Sequence, residues 1–275
     1  MDLELNHKRV LITGRSKGIG FACAQGFIRE GAKVCLVSRQ AAALSDAVDR
    51  LKASMESLQT SANSDSPDRQ ALISRSADLR DAQQAEALID SLEQDWGAID
   101  ILVNSAGAAR RTPAAELSVK AYADAMQAKY FTYIHVIDPC IRAMAGRSQG
   151  VIVNVIGAGG KVANPIHIAG GAANAALMLV TAGLANAYAQ QGIRVVAVNP
   201  GLTLTARLEE GLLADARAQG ISAEEAQRKA TAKIAMGRIA RPEEIADTVV
   251  YLASSRASYI TGVSIAMDGS ATALI

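Results

Sequence analysis

Three glycines lie close together near the N-terminus of the chain, in the segment TGRSKGIG from Thr13 to Gly20. The strand-like run RVLI precedes this segment, and a stretch with helical composition, from Phe21 to Glu30, follows it. Glycine lets a backbone turn tightly and come close to a ligand. The N-terminus of a helix offers free N–H groups and a positive dipole end, which favour a pyrophosphate. The order of strand, glycine loop and helix therefore favours a dinucleotide site over a simple tight turn.

The end of the second strand-like run indicates which dinucleotide would bind. An Asp or Glu there would accept hydrogen bonds from the adenosine ribose hydroxyls. This chain has Ser38 and Arg39 instead, and Arg15 lies in the glycine loop. Guanidinium groups bind a 2′-phosphate through charge-assisted, bidentate hydrogen bonds. We therefore expect NADP(H) to be preferred over NAD(H), against the alternative that Arg39 is only a solvated surface charge.

The elements that must position these residues alternate regularly along the chain. Short runs rich in β-branched residues are separated by longer, alanine-rich stretches with helical periodicity. The seven runs are RVLI, AKVCLV, ALISR, IDILV, GVIVNV, IRVVAV and GVSIA. This alternation predicts an α/β fold in which a doubly wound parallel sheet is covered by helices on both faces, in three layers. We expect a single domain over residues 1–275.

Two segments depart from this alternation. The polar segment from Gln59 to Arg69 contains a proline and falls between a predicted helix and the third strand, so we expect a surface loop. The segment from Leu202 to Lys233, between the sixth and seventh strands, is rich in Ala, Glu and Arg and predicts helices. In a doubly wound fold it would lie over the carboxyl ends of the strands, where ligands bind. We interpret it as a substrate lid.

The composition of the chain indicates which kind of ligand it binds and in which cellular compartment it works. Half of the 275 residues are hydrophobic and the formal net charge is +1, which gives no field to attract a polyanion. We expect a small-molecule substrate and no nucleic acid.

The N-terminus has no pattern of an export signal. Cys23, Cys35 and Cys140 have neither paired nor metal-binding spacing, which favours reduced thiols in the cytoplasm and no metal site.

One apolar segment has the length of a membrane span. Residues Val162 to Ile193 include no Asp, Glu, Lys or Arg. Pro165, three asparagines and the pair Gln190–Gln191 argue against a membrane span. We expect a helix buried between subunits, and no membrane partner.

Taken together, these motifs resemble those of the short-chain dehydrogenase/reductase family, and the resemblance covers nearly the full chain. The glycine segment is similar to the family's TGxxxGxG element, NSAG at Asn104–Gly107 to its NNAG, and PGLTLT at Pro200–Thr205 to its PGxVxT. The segment from Gly237 to Gly269 is similar to its C-terminal signature, which builds subunit contacts. The resemblance implies a Rossmann-type fold and a homotetramer or homodimer.

The resemblance also implies where NADP(H) would lie. Asp78 and Leu79 match the pair that contacts adenine, and the PGxVxT segment holds the nicotinamide amide and the phosphates. The residues implied to bind the cofactor are Thr13, Gly14, Arg15, Ser16, Gly18, Ile19, Gly20, Ser38, Arg39, Asp78, Leu79, Asn104, Ala106, Gly107, Pro200, Gly201, Thr203 and Thr205.

The predicted active site departs from the family's pattern. In the family a Tyr protonates the substrate carbonyl, a Lys four residues later lowers the pKa of that Tyr, a Ser orients the carbonyl and an Asn supports a water relay. Neither Tyr133 nor Tyr188, the nearest tyrosines, has a Lys four residues later. Counting along the chain gives the residues at the family's Ser, Tyr, Lys and Asn positions, which are Gly157, Gly170, Asn174 and Lys129.

Two hypotheses account for this departure. In the first hypothesis, the site is catalytically inactive and the protein keeps the cofactor fold for binding or regulation. In the second, the site is rebuilt, because Asn and Lys have exchanged positions: Lys129 would place its ammonium near the usual one, with Asn174 hydrogen-bonded to it or to ribose. His167 is a further candidate proton carrier. The structural alternatives are a solvent-facing Lys129 on a helix from Ala121 to Met144, an Asn174 that contacts backbone, and an ordinary loop histidine.

The sequence therefore predicts an NADP(H)-dependent oxidoreductase that acts on a carbonyl or hydroxyl group with a non-standard catalytic centre. A positioned general acid is worth roughly 10²–10⁴-fold in rate, so loss of the usual Tyr does not exclude activity. The alternatives are a silent NADP-binding regulatory or scaffold protein, and a non-redox lyase or isomerase that uses the same pocket. Substrate-dependent oxidation of NADPH distinguishes them.

Overall fold

Seven parallel strands form one sheet in a computed structural model that describes residues 1–14, 17–59, 72–107 and 111–272. The strand order is β3-β2-β1-β4-β5-β6-β7, and every neighbouring pair is parallel. The strands are β1 (Arg9–Thr13), β2 (Lys33–Ser38), β3 (Leu72–Ser76), β4 (Ile101–Asn104), β5 (Gly150–Val155), β6 (Ile193–Pro200) and β7 (Ser264–Met267). All seven predicted strands are confirmed, and so is the doubly wound, Rossmann-type, single-domain α/β fold.

Helices cover both faces of the sheet. They are α1 (Ile19–Arg29), α2 (Ala41–Gln59), α3 (Ala82–Asp95), α4 (Val119–Ala125), α5 (Thr132–Gly146), α6 (Ile168–Tyr188), α7 (Ala206–Gln219), α8 (Ala223–Thr231) and α9 (Pro242–Ala253). One apolar core joins α1, α2 and α9 to the sheet, and the other joins α3, α5 and α6 to its opposite face. The strands are apolar on both sides because both faces are buried.

Two predicted helices differ in detail from those in the structure. The first helix begins at Ile19 and ends at Arg29, so it starts within the glycine segment rather than after it. The helix predicted from Ala121 to Met144 is interrupted by a π-helical turn, Met126–Phe131, between α4 and α5. A π turn holds one more residue than an α turn, and no hydrophobic periodicity marks it in the sequence.

The two irregular segments differ in how far they are described. The segment from Leu202 to Lys233 contains α7 and α8, so the predicted helices are present. Of the segment from Gln59 to Arg69, only Gln59, the last residue of α2, belongs to the described residues. The remainder of that predicted loop lies outside them.

The long apolar segment forms helix α6 and the short turn after it. Ile168–Gln191 is long and apolar enough to cross a membrane by length and composition alone. One face of this helix packs on the sheet through Leu177 and Ala185, which belong to the second core. These contacts are those of a core helix in an α/β fold.

A buried polar network ties the carboxyl end of β1, β4 and β5 to α6. The Thr13 hydroxyl donates to Asn104 Oδ1 (3.2 Å), and Asn104 Nδ2 donates to Asn154 Oδ1 (3.1 Å). Asn154 Nδ2 in turn donates to Thr181 Oγ1 (3.0 Å), whose hydroxyl donates to Leu177 O (2.8 Å). All four polar side chains are fully buried, so each needs its partner. The network fixes the edge of the sheet above which the site is built.

Replacing Thr181 by valine is expected to lower the free energy of unfolding by about 1–3 kcal/mol, because Asn154 Nδ2 would be left buried without its acceptor. Urea denaturation measures the loss. Thr231→Val is the matched control, since the Thr231 hydroxyl, at the end of α8, has no hydrogen bond among the described residues. Equal stability of the two variants would contradict the prediction.

Candidate functional site

The glycine segment between β1 and α1 forms a cradle that a side chain would fill. Gly14 has φ +135°, and a Cβ there would lie 2.9 Å from the backbone carbon of Ser105. Gly18 has φ +76°, and its Cβ would lie 3.0 Å from Thr205 Cγ2. Gly18 is also the N-cap of α1 and provides no side-chain cap for the first N–H groups of the helix. The described part of the cradle therefore fits a pyrophosphate. Arg15 and Ser16 lie outside the described residues.

A shallow cleft lies beside the cradle, at the carboxyl ends of β2 and β3. Its lining includes Arg39, Ser76, Asp78 and Arg80. Arg80 forms a bidentate ion pair with Asp78, with Nη2 2.5 Å from Oδ2. Hydrogen bonding from Arg80 lowers the pKa of Asp78 below its usual value. Two guanidinium groups, those of Arg39 and Arg80, thus border this cleft.

Five of the residues predicted to bind the cofactor have buried side chains: Thr13, Leu79, Asn104, Pro200 and Thr203. Thr13 and Asn104 are fully buried in the polar network, and the side chain of Leu79 belongs to the second core. Pro200 is buried at the end of β6. These side chains hold the backbone of the site, and binding of the cofactor by these residues stays a prediction. Only their backbone groups remain candidates for contact.

The segment after β6 brings α7 over the cradle. The Thr205 hydroxyl donates to Thr203 O (3.3 Å) and accepts from Leu208 N (3.3 Å), so it caps α7. Gly201 packs so closely on Asp268 that a Cβ would lie 2.8 Å from its Cβ. This packing fixes the Gly201–Thr205 turn, and with it the start of α7, above Gly18.

The π turn carries Lys129 into the interior. Its side chain is 6% exposed, and Nζ donates to Tyr133 Oη (2.8 Å) and to Val155 O (3.2 Å) at the end of β5. Tyr133 is fully buried, and its hydroxyl donates to the same carbonyl (2.5 Å). The backbone of Gly107 packs on this turn, since a Cβ there would lie 2.5 Å from Ala128 O. The solvent-facing alternative for Lys129 is therefore wrong.

The surroundings of Lys129 make it a group that can exchange a proton near neutral pH. Burial, and then the nearby Arg207 guanidinium, lower the pKa of Lys129 to about 7. Burial raises the pKa of Tyr133 above its ordinary value, so this hydroxyl stays protonated. The pair thus consists of an amine that titrates near pH 7 and a phenol that does not.

His167 takes the place of a side chain at position 170. A Cβ on Gly170 would lie 2.1 Å from His167 Cε1 and 2.7 Å from its Nδ1. Nδ1 is buried and has no hydrogen-bond partner among the described residues. Burial lowers the pKa of His167, and Arg111, Arg207 and Lys129 lower it further. The imidazole is therefore neutral at pH 7, where it can accept or donate one hydrogen bond.

Asn174 is buried beside Gly157 rather than bonded to Lys129. Its side chain is 6% exposed, and a Cβ on Gly157 would lie 3.4 Å from its Nδ2. The Lys129 ammonium uses Tyr133 and Val155 as partners, so the predicted hydrogen bond between Lys129 and Asn174 is not formed. Lys129, His167 and Asn174 nevertheless lie together at the carboxyl edge of β4 and β5.

Sequence reasoning missed Tyr133 as a member of this site. The family's pattern has a Lys four residues after a Tyr, whereas in this chain Lys129 lies four residues before Tyr133. Residues four apart on a helix share a face in either order, so the reversed spacing was a usable signal. Arg111 and Arg207 were also missed, because only the packing of α7 places them near His167.

Comparison with known proteins gives matches over nearly the whole chain. A family profile described as enoyl-(acyl carrier protein) reductase matches residues 14–272. Gluconate 5-dehydrogenase of Gluconobacter oxydans is 32% identical over 272 residues, covering 98% of this chain and 96% of that protein.

Two solved structures are similar in fold. L-Sorbose reductase from Gluconobacter frateurii, complexed with NADPH and L-sorbose, has a TM-score of 0.88 and 26% identity, with 100% of both chains covered. An NADPH-bound short-chain oxidoreductase from Pseudomonas aeruginosa PAO1, described as containing an atypical catalytic center, has a TM-score of 0.81 and 26% identity, with 98% of both chains covered.

Proposed function

The chain belongs to the short-chain dehydrogenase/reductase family, and from this premise we propose that it transfers hydride between NADP(H) and a carbonyl or hydroxyl group of a small-molecule substrate. The family is one of oxidoreductases, and similar solved structures hold NADPH. The observation that carries the proposal is the buried Lys129–Tyr133 pair, whose ammonium donates to Val155 O at the carboxyl end of β5. Burying a lysine costs free energy, so a catalytically inactive site would gain nothing from a lysine at this position.

In the proposed reduction Lys129 is the general acid. When bound, NADPH supplies the hydride for the carbonyl carbon. As the C=O π bond opens, the substrate oxygen takes a proton from the Lys129 ammonium, which leaves an alcohol and a neutral amine. Tyr133 is a positioning residue, because its hydroxyl accepts a hydrogen bond from Lys129 and is itself held by Val155 O. His167 faces the same space and can hold the substrate oxygen by a hydrogen bond.

This assignment predicts the pH dependence of both directions. Reduction needs the protonated Lys129, so kcat/KM for reduction is expected to be level below about pH 7 and to fall above it. Alcohol oxidation needs the neutral amine and is expected to rise with pH through the same value. Tyr133 stays protonated in this range, and His167 stays neutral near and above pH 7. Rate profiles in both directions test the assignment, and a reduction rate that rises from pH 7 to 9 would contradict it.

The first experiment is calorimetric titration of the protein with NADPH and, separately, with NADH. We expect micromolar binding of NADPH and much weaker binding of NADH, because Arg39 and Arg80 border the cleft at the end of β2. Substrate-dependent oxidation of NADPH then separates the oxidoreductase from a silent binding protein and from a lyase or isomerase. If neither dinucleotide binds, the oxidoreductase proposal fails.

Two features of the surroundings belong to the same proposal. Helices α7 and α8 form a substrate lid, and an ion pair between Arg111 and Asp215 (2.9 Å) joins α7 to the segment after β4. One side of α6 is exposed in the single chain, and Leu179 on that side is 77% exposed. This side packs between the subunits of a cytoplasmic homotetramer or homodimer. Sedimentation equilibrium measures the number of subunits.

A further inference from the structure

The hydrogen bonds of Lys129 leave one direction of its amine unoccupied. Nζ donates to Tyr133 Oη (2.8 Å) and to Val155 O (3.2 Å), and it has no other hydrogen-bond partner among the described residues. An ammonium has three hydrogens, whereas a neutral amine has two hydrogens and a lone pair. When these two acceptors hold both hydrogens of the neutral amine, its lone pair takes the remaining direction. The contacts therefore orient a nucleophilic electron pair as well as a proton donor.

There is room for a small substituent beside Gly157, two residues after the carbonyl that holds the amine. Among the described residues, a Cβ on Gly157 would have only Asn174 Nδ2 (3.4 Å) and Pro200 O (3.9 Å) within 4 Å. A Cβ on Gly159, two residues further on, would lie 3.1 Å from His167 Cδ2 and 3.8 Å from Asn174 Nδ2. This space is therefore bordered by two side chains that can form hydrogen bonds, an amide and an imidazole.

The charge state of Lys129 supports a role as nucleophile. Burial is the larger cause, and the Arg207 guanidinium the smaller, that lowers the pKa of Lys129 to about 7. A large share of the amine is therefore uncharged at neutral pH. Burial keeps the Tyr133 hydroxyl protonated, because it raises that pKa, and burial lowers the pKa of His167, which keeps the imidazole neutral. A desolvated, uncharged lysine is the form that attacks a carbonyl carbon.

We propose that Lys129 forms a Schiff base with small aldehydes and ketones and thereby catalyses the exchange of their α-protons with solvent. The Nζ lone pair forms a bond to the carbonyl carbon while the C=O π pair moves to the oxygen. The oxygen takes up two protons, one from the amine nitrogen and one from solvent, and leaves as water. The nitrogen pair then completes a C=N bond, which leaves a positively charged iminium group.

The iminium group draws electrons from the neighbouring C–H bond. The neutral His167 imidazole takes the α-proton, and the electron pair of that C–H bond forms an enamine. A proton from solvent then returns to the same carbon, and water releases the carbonyl compound and the free amine. No oxidant, reductant or cofactor takes part in this cycle. The activity therefore goes beyond the proposed hydride transfer and does not depend on it.

Reductive trapping tests which amine reacts, without any variant and without any dinucleotide. The protein is incubated at pH 7 with propanal and sodium cyanoborohydride, which reduces an iminium group to a stable secondary amine. Peptide mass spectrometry then locates each propyl group. We expect Lys129 to be modified about 10-fold faster or more than Lys120, because a desolvated amine is uncharged at this pH and an exposed one is not. Lys120, whose side chain is 81% exposed on α4, is the internal control.

Exchange of the protons of acetone in D₂O tests the catalytic cycle. Proton NMR follows the loss of the methyl signal, and the rate in buffer alone is subtracted. Lys129→Met is expected to lower the protein-dependent rate about 100-fold or more, because no Schiff base can form. Lys120→Met makes the same chemical change at an exposed position and is expected to leave the rate unchanged. His167→Ala is expected to keep trapping at Lys129 and to lower exchange about 10-fold or more, since it removes the base.

Three results would overturn the inference. The first is trapping confined to exposed lysines, with no propyl group on Lys129. The second is exchange of acetone protons no faster with the protein than in buffer. The third is exchange that survives in Lys129→Met, and exchange that survives in His167→Ala would overturn the assignment of the base. Oxidation of NADPH by a protein that is not trapped would keep the proposed function and overturn this inference, whereas trapping and exchange without any NADPH oxidation would do the reverse.

Discussion

Replacing Lys129 by methionine is expected to lower kcat for carbonyl reduction by about 10²- to 10⁴-fold, the usual worth of a positioned general acid. Methionine matches the length of the lysine stem, and Tyr133 keeps its hydrogen bond to Val155 O. The variant should still bind NADPH, because the glycine cradle and the cleft lined by Arg39 and Asp78 are left unchanged. Single-turnover reduction with bound NADPH measures the chemical step. An unchanged rate would remove Lys129 from the mechanism.

The same substitution is expected to make the protein more stable. The pKa of Lys129 is lowered in the folded state to about 7 from 10.5, so between these values the unfolded chain binds a proton that the folded chain does not. The burial cost is fully present below pH 7 and is relieved as pH rises toward 10.5. Removing the amine at pH 7 should therefore raise the free energy of unfolding by about a few kcal/mol. Urea denaturation at pH 6 and pH 10 measures this, and the gain should shrink at pH 10.

Replacing Arg39 by aspartate is expected to weaken NADPH binding by about 10- to 100-fold and to bring NADH binding level with it or above it. The guanidinium that would bind a 2′-phosphate is replaced by a carboxylate that repels phosphate and accepts hydrogen bonds from ribose hydroxyls. Arg39 lies at the end of β2, in the cleft with Asp78 and Arg80. Calorimetric titration with each dinucleotide measures the change.

The control for this variant is Lys52→Asp, which makes the same charge change at an exposed position of α2. It should leave both dissociation constants close to those of the unmodified protein. If Arg39→Asp binds NADPH as well as Lys52→Asp does, then Arg39 is a solvated surface charge and the preference must come from elsewhere. Arg80, freed from Asp78, would be the next candidate.

The fold was predictable because each strand is a short β-branched run and each helix has its own apolar face. Those signals are local, and the parallel order follows from the alternation of the two. The helix boundaries next to functional turns were harder to predict from the sequence. The start of α1 at Ile19 lies within a glycine segment of low helical propensity, where the backbone geometry and not the side chains sets the first turn.

The candidate site was only partly predictable, for reasons of packing. Lys129 was a candidate because of its position in the chain. Its burial depends on the π turn, which leaves no mark in the hydrophobic periodicity of the sequence. The buried network of Thr13 and Asn104 was not predicted, because a buried hydrogen-bond network and a ligand contact require the same polar residue types. Arg111 and Arg207 are 96 positions apart in the sequence, and only tertiary packing brings them to one space.

The contact between His167 and Gly170 couples these two positions. Any residue larger than glycine at position 170 must displace the imidazole, because even a Cβ would lie 2.1 Å from its ring. A larger side chain at position 170 and the present position of the imidazole therefore exclude each other, so the effects of substitutions at residues 167 and 170 are expected not to add. The glycine determines where the histidine ring lies as directly as a hydrogen bond would.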